Sequence, residues 1–139
     1  EHGRLFHGHS IYNEEVHVPL VIKFPLGEFA GIQTDTIVSH IDIFPTILDY
    51  LGIDVSSDVD GISLLNLFKD DHLERTVFIK EKLNGDNKYD FIGIINARSS
   101  EKYIISFKDE RFLDAINFEL YDIVNDFVEK NDLFWRYWL

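Results

Sequence analysis

The residues of this chain best suited to chemistry, by type and spacing, are the histidines of its first nine positions. They lie in a Gly-containing stretch of loop composition, with several acids close by in the sequence. The set comprises His2, His7, His9, Glu1, Glu14 and Glu15. Neutral imidazole and carboxylate groups are common ligands of divalent metals, so this cluster could form a metal site. The spacing equally allows surface or hydrogen-bonded loop histidines, and both interpretations stay open at this point.

The composition is that of a folded, acidic domain. Apolar residues make up 45% and charged residues 27% of the 139 positions, and the formal net charge is −12 with histidine neutral. Such a charge repels polyphosphate backbones, so we expect no nucleic-acid partner. The absence of cysteine excludes disulfides and thiolate metal sites within the chain. No apolar run is long enough to span a bilayer, so no membrane partner is evident, and localisation and oligomeric state stay open.

The elements that must position the histidine loop begin directly after it. Residues 16–25 form a nearly continuous apolar run, which predicts a strand buried on both faces within a larger mixed sheet. A helix is predicted next, with Asp42 as its cap, Pro45 in its first turn and Gly52 at its end. The apolar stripe of this helix is Ile43, Phe44, Ile47, Leu48 and Leu51. A second, short helix is predicted for residues 62–68.

The hydrophobic period changes to two in the second half of the chain. Alternating apolar positions predict strands around residues 77–80, 91–95 and 103–107, and residues 119–123 can add a fourth. The expected fold class is therefore α/β, with α+β character in the second half, where an antiparallel meander follows. Because no Pro/Gly/Ser-rich linker separates the halves, we expect residues 1–139 to form a single unit.

Four stretches of the sequence resemble, in the same order, segments of the sulfatase branch of the alkaline-phosphatase superfamily. They are EHGRLFHGHSIYNEEVHVPLVI (1–22), VSHIDIFPTILDYLGI (38–53), DGISLLNLF (60–68) and ELYDIVNDFVEKNDL (119–133). In the last stretch Asp132 separates Asn131 from Leu133, where the family has Asn-Leu. The resemblance implies the C-terminal portion of an alkaline-phosphatase-like fold, in which a core strand and helices precede a small antiparallel sheet. Residues 1–80 would then be the C-terminal part of the α/β core, and 81–139 a small antiparallel-sheet subdomain.

The resemblance also implies a calcium-dependent sulfuric ester hydrolase. In that family calcium is bound by an Asp-Asn or Asp-His pair placed before the segment that resembles residues 1–22. The family's nucleophile derives from the first residue of a Cys/Ser-x-Pro-x-Arg motif, which is absent from this sequence. We therefore expect a C-terminal fragment that is inactive alone, whose calcium ligands and nucleophile lie in the missing N-terminal part of the same protein. The expected substrate is a small-molecule or carbohydrate sulfate ester.

By resemblance, one histidine of the loop supplies the cation that contacts the sulfate group or its leaving oxygen. Counting forward from Glu1-His2-Gly3 places His7 at that position. Counting back from Tyr12 brings His9 equally close. Both are therefore candidate catalytic residues, with His7 preferred, and no metal ligand is assigned within the chain.

The other polar residues near the loop are interpreted as structural. His2 is expected to brace the loop. Glu14 and Glu15 are expected to pair with cationic side chains or to cap backbone groups. His17, at the start of the apolar run, is expected to pack or to contact a carboxylate rather than to take part in catalysis.

Two other functions compete with a sulfatase. A phosphoester or phosphonate hydrolase, or a phosphotransferase, of the same superfamily would handle a tetrahedral oxyanion of similar size, with Ser or Thr as the nucleophile. A non-catalytic module that keeps the scaffold is the alternative from a different class. The sequence upstream of residue 1 would distinguish them, because a Cys/Ser-x-Pro-x-Arg motif and paired acids are expected only in the enzyme.

Overall fold

The computed structural model describes residues 10–54, 58–68, 74–81, 90–107 and 115–137. The predicted catalytic residues His7 and His9 lie outside the described residues, as does His2. The chain divides into two compact units, one within Glu1–Leu20 and Thr76–Leu139 (unit 1) and the other within Val21–Arg75 (unit 2). The domain boundaries expected from the sequence stay a prediction.

Unit 1 contains a four-stranded antiparallel sheet in the order β1-β2-β3-β4. The strands are β1 (Thr76–Glu81), β2 (Asp90–Asn96), β3 (Glu101–Phe107) and β4 (Ala115–Asp122). Each strand pairs with the next one along the chain, so the sheet is a meander. The antiparallel sheet predicted from the alternating apolar positions, including its fourth strand, is confirmed.

One face of this sheet holds the core of unit 1. Side chains alternate between the faces of a strand, and in β3 Lys102 and Ile104 are buried whereas Tyr103 between them is 37% exposed. Gly93 lies opposite Ile104 in the register. A Cβ at Gly93 would lie 2.9 Å from Cδ1 of Ile11, so glycine here lets Ile11 approach the sheet closely. Ile11 packs with Ile104 and Tyr121, and the residues around them are Tyr12, Val16, Ile79, Phe91 and Ile123.

The strand predicted for residues 16–25 is not formed among the described residues. Val16 ends a single helical turn, α1 (Asn13–Val16), and residues 17–24 have no regular secondary structure. A strand requires a neighbour for its backbone N–H and C=O groups. The four strands that the structure describes pair only with one another. The apolar run consequently leaves Val18 52% and Val21 89% exposed.

Unit 2 contains the predicted helix, α2 (Ile43–Tyr50), which begins one residue after the predicted cap. At its end Gly52 adopts φ +69°, a left-handed conformation that suits glycine. The N–H of Ile53 donates to the carbonyl of Leu48 at 2.9 Å, which completes a Schellman motif. The short helix predicted for residues 62–68 is confirmed as a 3-10 helix over Leu64–Phe68.

Asp42 connects the segments of unit 2, and its carboxylate is fully buried. Its Oδ2 accepts a hydrogen bond from the backbone N–H of Ser39 at 2.8 Å and lies 2.5 Å from Nη1 of Arg75. Its Oδ1 accepts from the N–H of Ile62 at 3.0 Å. The hydroxyl of Thr46 donates to the carbonyl oxygen of Asp42 at 2.6 Å. The carboxylate of Asp42 makes no capping hydrogen bond to α2, so the predicted cap is wrong. Asp42 instead completes a capping box with Ser39 and joins the start of α2 to two distant segments of the chain.

Replacing Gly61 by alanine is expected to destabilise unit 2. The added Cβ would lie 2.0 Å from the carbonyl oxygen of Ile41, a backbone atom that cannot rotate away. Overpacking of this kind costs about 1–3 kcal/mol. The free energy of unfolding in urea measures the effect, and Gly31→Ala is the control. At Gly31 the added Cβ meets no atom within 4 Å and only the φ of +81° is strained. A smaller loss in Gly61→Ala than in the control would contradict the steric argument.

Candidate functional site

The described residues next to the histidine loop are held tightly in unit 1. Ser10, which directly follows His9 in the sequence, is 4% exposed. Its hydroxyl donates to Oε1 of Glu15 at 2.6 Å, and its backbone N–H lies 3.4 Å from Oε2 of the same side chain. This contact agrees with the structural interpretation of Glu15. Ser10, the first described residue after the predicted catalytic loop, is therefore buried and held in place by Glu15.

Asn13, three residues after Ser10 in the sequence, forms a buried polar triad with Lys102 and Glu129. Lys102 on β3 is 0% exposed, and its Nζ lies 3.0 Å from Oδ1 of Asn13 and 2.8 Å from Oε1 of Glu129. The backbone N–H of Asn13 donates to Oε2 of Glu129. The side-chain amide of Asn13 donates to the carbonyl of Phe127 at 3.0 Å. Burial lowers the pKa of Lys102, and the Glu129 carboxylate opposes this shift.

A second polar cluster, Tyr12, Glu119 and Tyr121, fixes the same segment to β4. Oε2 of Glu119 accepts hydrogen bonds from the hydroxyl of Tyr12 at 2.7 Å and from that of Tyr121 at 2.6 Å. Oε1 accepts from the side-chain amide of Asn117 at 2.9 Å. Burial, and then the Glu119 carboxylate, raise the pKa of both tyrosines, because the phenolate form would be desolvated and would face a negative charge.

The acids of the 119–133 motif that follow Tyr121 shape the turns after β4. Oδ2 of Asp122 accepts from the side-chain amide of Asn125 at 2.7 Å, and its Oδ1 accepts from the N–H groups of Asn125 and Val124 at 3.1 and 3.2 Å. Oδ2 of Asp126 accepts from the N–H of Asn131 at 2.6 Å. These contacts favour the charged carboxylates and lower the pKa of both Asp122 and Asp126. The turns that they stabilise carry Glu129 back to Lys102.

The inserted residue of that motif, Asp132, also has a structural role. Its Oδ1 accepts hydrogen bonds from the N–H of Leu120 at 3.0 Å and from the N–H of Phe134 at 2.9 Å. The N–H of Leu133 donates to the carbonyl of Leu120 at 2.7 Å. The departure from the family pattern is therefore accommodated by contacts that close the chain onto β4.

The packing role predicted for His17 agrees with the structure, whereas the buried polar role of Lys102 was not predicted from the sequence. The ring of His17 lies edge-on to that of Phe127 with centroids 4.9 Å apart, so it packs as expected. Lys102 did not stand out because lysine in a strand is usually solvated. The available signal was its position two residues before Ile104, which places both on the inner face of β3.

A shallow pocket of about 300 Å³ lies on the opposite face of the sheet. Its lining residues are Glu101, Tyr103, Leu120, Phe134 and Tyr137. The ring of Phe134 stacks on that of Phe118 with centroids 5.5 Å apart, so Phe134 packs onto β4. Glu101 is the pocket's charged residue, and a carboxylate disfavours an anionic sulfate group. The described lining of the pocket therefore disfavours a sulfate group.

The described part of the chain contains no cluster of side chains of the metal-binding type and no helix suited to crossing a membrane. Within residues 10–54, 58–68, 74–81, 90–107 and 115–137, no group of three or more His, Asp or Glu side chains is placed to hold a metal ion. Over the same ranges, every helix is too short or too polar to cross a bilayer.

The free energy of unfolding is expected to fall as the pH rises above about 10. The pKa values of Tyr12 and Tyr121 are raised above the ordinary 10.0. Between 10.0 and the raised values the unfolded chain loses these protons while the folded chain keeps them, so unfolding becomes more favourable with each pH unit. The lowered pKa of Lys102 acts in the opposite sense below 10.5, where the unfolded chain binds the extra proton.

Urea unfolding at about pH 8 and about pH 11 tests this expectation. The double substitution Tyr12→Phe and Tyr121→Phe is expected to flatten the decline, because neither state then titrates at these positions. Tyr137→Phe changes a ring that is 72% exposed and is the control. An unchanged decline in the double variant would show that other groups cause it.

Comparison with known proteins gives a consistent family. Residues 1–137 match the family described as N-sulphoglucosamine sulphohydrolase, C-terminal. The chain is 43% identical over 82 residues to arylsulfatase K of Homo sapiens, covering 52% of this chain and 15% of the relative. It is 39% identical over 64 residues to the N-acetylglucosamine-6-O-sulfatase of Bacteroides thetaiotaomicron, covering 46% of this chain and 11% of the relative. The matches thus span a small part of the relatives' length. Because the family match covers nearly the whole sequence, this chain belongs to the family of sulfatase C-terminal domains.

Proposed function

We propose that the chain is the C-terminal part of an enzyme that hydrolyses sulfate esters of small molecules or carbohydrates. The single observation that carries the proposal is the match of residues 1–137 to the sulfatase C-terminal family. Relatives named arylsulfatase K and N-acetylglucosamine-6-O-sulfatase support a sulfate ester as the substrate. The anchored segment directly after His9 supports a role for the preceding histidine loop, because a catalytic side chain needs a rigid support.

In this proposal His7 supplies the cation at the leaving oxygen, with His9 as the alternative. When the bond between sulfur and the leaving oxygen breaks, its electron pair stays on that oxygen. An imidazolium there stabilises the developing negative charge and transfers its proton to the oxygen, which leaves as an alcohol or phenol. The nucleophile that attacks sulfur is proposed to come from the part of the enzyme that precedes this chain.

Calcium dependence is a further proposal, which rests on the sulfatase resemblance. The described residues offer no suitable cluster of acids and histidines. By that resemblance the ligands are proposed to lie in the preceding part of the enzyme, and no step of the chemistry above is assigned to the metal.

The rest of the enzyme is proposed to cover the apolar surface of α2. Phe44, Ile47 and Leu51 are 57%, 51% and 61% exposed, although they form the apolar stripe of this helix. A contiguous apolar stripe exposed in this way marks an interaction surface. The missing N-terminal part of the same protein is the proposed partner, because the chain spans only 15% of arylsulfatase K.

Hydrolysis of 4-nitrophenyl sulfate by the complete protein and by the isolated chain tests the proposal. We expect turnover by the complete protein and none by residues 1–139, which lack the Cys/Ser-x-Pro-x-Arg motif. Turnover by the isolated chain, abolished when His7 and His9 are both replaced by alanine, would overturn the expected inactivity. A complete protein that hydrolyses 4-nitrophenyl phosphate but not the sulfate would support the phosphoester alternative. A complete protein inactive on both esters would support the non-catalytic one.

A further inference from the structure

We propose that Lys102 and Glu129 are positioning residues that hold the histidine loop of the active site through Asn13. The inference rests on the proposed sulfatase function and adds to it the device that fixes the loop. Neither residue contacts the reacting atoms in this proposal. Their role is to set the place and direction from which the loop leaves the domain.

The triad joins three parts of the chain that are far apart in sequence. Lys102 lies on β3, Glu129 lies in the turns after β4, and Asn13 begins α1. The contacts from Asn13 to Lys102 and to Glu129 span 89 and 116 residues. All three residues are buried, with exposures of 4%, 0% and 1% for Asn13, Lys102 and Glu129. An arrangement of this kind fixes the backbone at Asn13 relative to the sheet.

The anchored backbone lies close to both histidines along the chain. Ser10 and Ile11, between the loop and Asn13, are 4% and 1% exposed. His9 directly precedes Ser10 in the sequence, and His7 lies two residues before His9. In this proposal, a displacement of the anchored segment therefore disturbs the histidine that acts in catalysis. Misplacement by about 1 Å is enough to slow an enzyme strongly.

The energetics favour a positional role over a stabilising one. Removing a lysine and a glutamate from water is unfavourable, and their mutual attraction offsets that cost only in part. Replacing a buried ion pair by apolar residues of similar volume is often neutral or stabilising. Glu129 in addition has a φ of +53°, a left-handed conformation that non-glycine residues rarely adopt. Strain of this type persists where the surrounding contacts determine the position.

The experiment uses the complete protein with the double substitution Lys102→Met and Glu129→Leu. The double variant removes both charges together but leaves Asn13 without its two buried partners, so it is expected to fold with a moderately lower melting temperature than the wild type. The single variants Lys102→Met and Glu129→Gln accompany it. Val77→Ala is the matched control, because Val77 is a buried residue of β1 that has no part in the triad.

The first readout is the ratio of kcat/KM for phenyl sulfate to kcat/KM for 4-nitrophenyl sulfate. Phenolate is the poorer leaving group and depends more on proton donation by the loop histidine, whereas 4-nitrophenolate leaves readily without it. We expect the ratio to fall about tenfold or more in the double variant. A general loss of folded protein lowers both rates equally, so Val77→Ala is expected to keep the wild-type ratio.

The second readout is hydrogen exchange of residues 10–16, which does not depend on activity. The N–H of Asn13 donates to Glu129, so this segment is expected to exchange at least about tenfold faster in the double variant than in Val77→Ala. Wild-type exchange in the double variant would overturn the anchor. Faster exchange with an unchanged substrate ratio would overturn the link to catalysis. If the complete wild-type protein hydrolyses neither ester, the proposed function fails, and the exchange result still decides whether Lys102 and Glu129 hold the segment.

Discussion

Replacing His7 by alanine in the complete enzyme is expected to lower kcat by about 30- to 1,000-fold, with kcat/KM falling in parallel. A cation aimed at the leaving oxygen stabilises charge that grows only in the transition state, so its loss affects chemistry more than binding. The expected size, about 2–4 kcal/mol of transition-state stabilisation, is that of one preorganised electrostatic donor. Steady-state kinetics with 4-nitrophenyl sulfate provide the measurement.

His7→Lys is expected to recover part of the lost rate. The resemblance implies that the family accepts either lysine or histidine at this position. Lysine titrates about four pH units above histidine, so the rate of His7→Lys is expected to decline less on the alkaline side of the pH profile. A pH–rate profile of His7→Lys that matches the wild type would show that the residue at position 7 does not cause the decline in rate at alkaline pH.

His9→Ala decides between the two alignments of the loop. If His7 is the catalytic cation, His9→Ala is expected to retain most of the wild-type kcat. The reverse outcome, near-normal His7→Ala and crippled His9→Ala, would show that the loop aligns from its Tyr12 end. Two variants that both behave like the wild type would mean that the catalytic cation comes from elsewhere in the protein.

Replacing Asp42 by alanine is expected to cause the largest loss of stability, about 3–5 kcal/mol. The carboxylate is fully buried and accepts hydrogen bonds from two backbone N–H groups and from Arg75. Its removal leaves these donors without their acceptor and leaves the Arg75 guanidinium without its buried counter-charge. Urea unfolding of the variant and the wild type measures the difference.

Asp49→Ala is the matched control for the Asp42 substitution. Asp49 lies on the same helix and accepts a hydrogen bond from the hydroxyl of Ser63, but it is exposed. Water can replace that contact, so the expected loss is within about 0.5–1 kcal/mol. Equal losses in the two variants would contradict the assignment of Asp42 as the residue that joins the segments of unit 2.

The elements that depend on neighbours in the sequence could be predicted from the sequence. The meander follows from apolar alternation in residues 76–122, because the two faces of a strand differ in burial. α2 follows from Pro45 and Gly52, which act on the backbone within a turn of their own position. The family followed from four ordered stretches, and the match over residues 1–137 confirms it.

The tertiary structure decided what depends on groups distant in the chain. The apolar run 16–25 indicated a strand. Apolar side chains favour burial, but a strand also needs a neighbouring strand to pair with its backbone, and the composition of the run does not provide one. In the sequence Lys102 looks like an ordinary, solvated strand lysine. The residues that compensate its charge, Glu129 and Asn13, are not its neighbours in the sequence, and Asn13 is 89 residues away. Local propensity is set by adjacent residues, whereas a buried charge is satisfied only where folding brings its partners together.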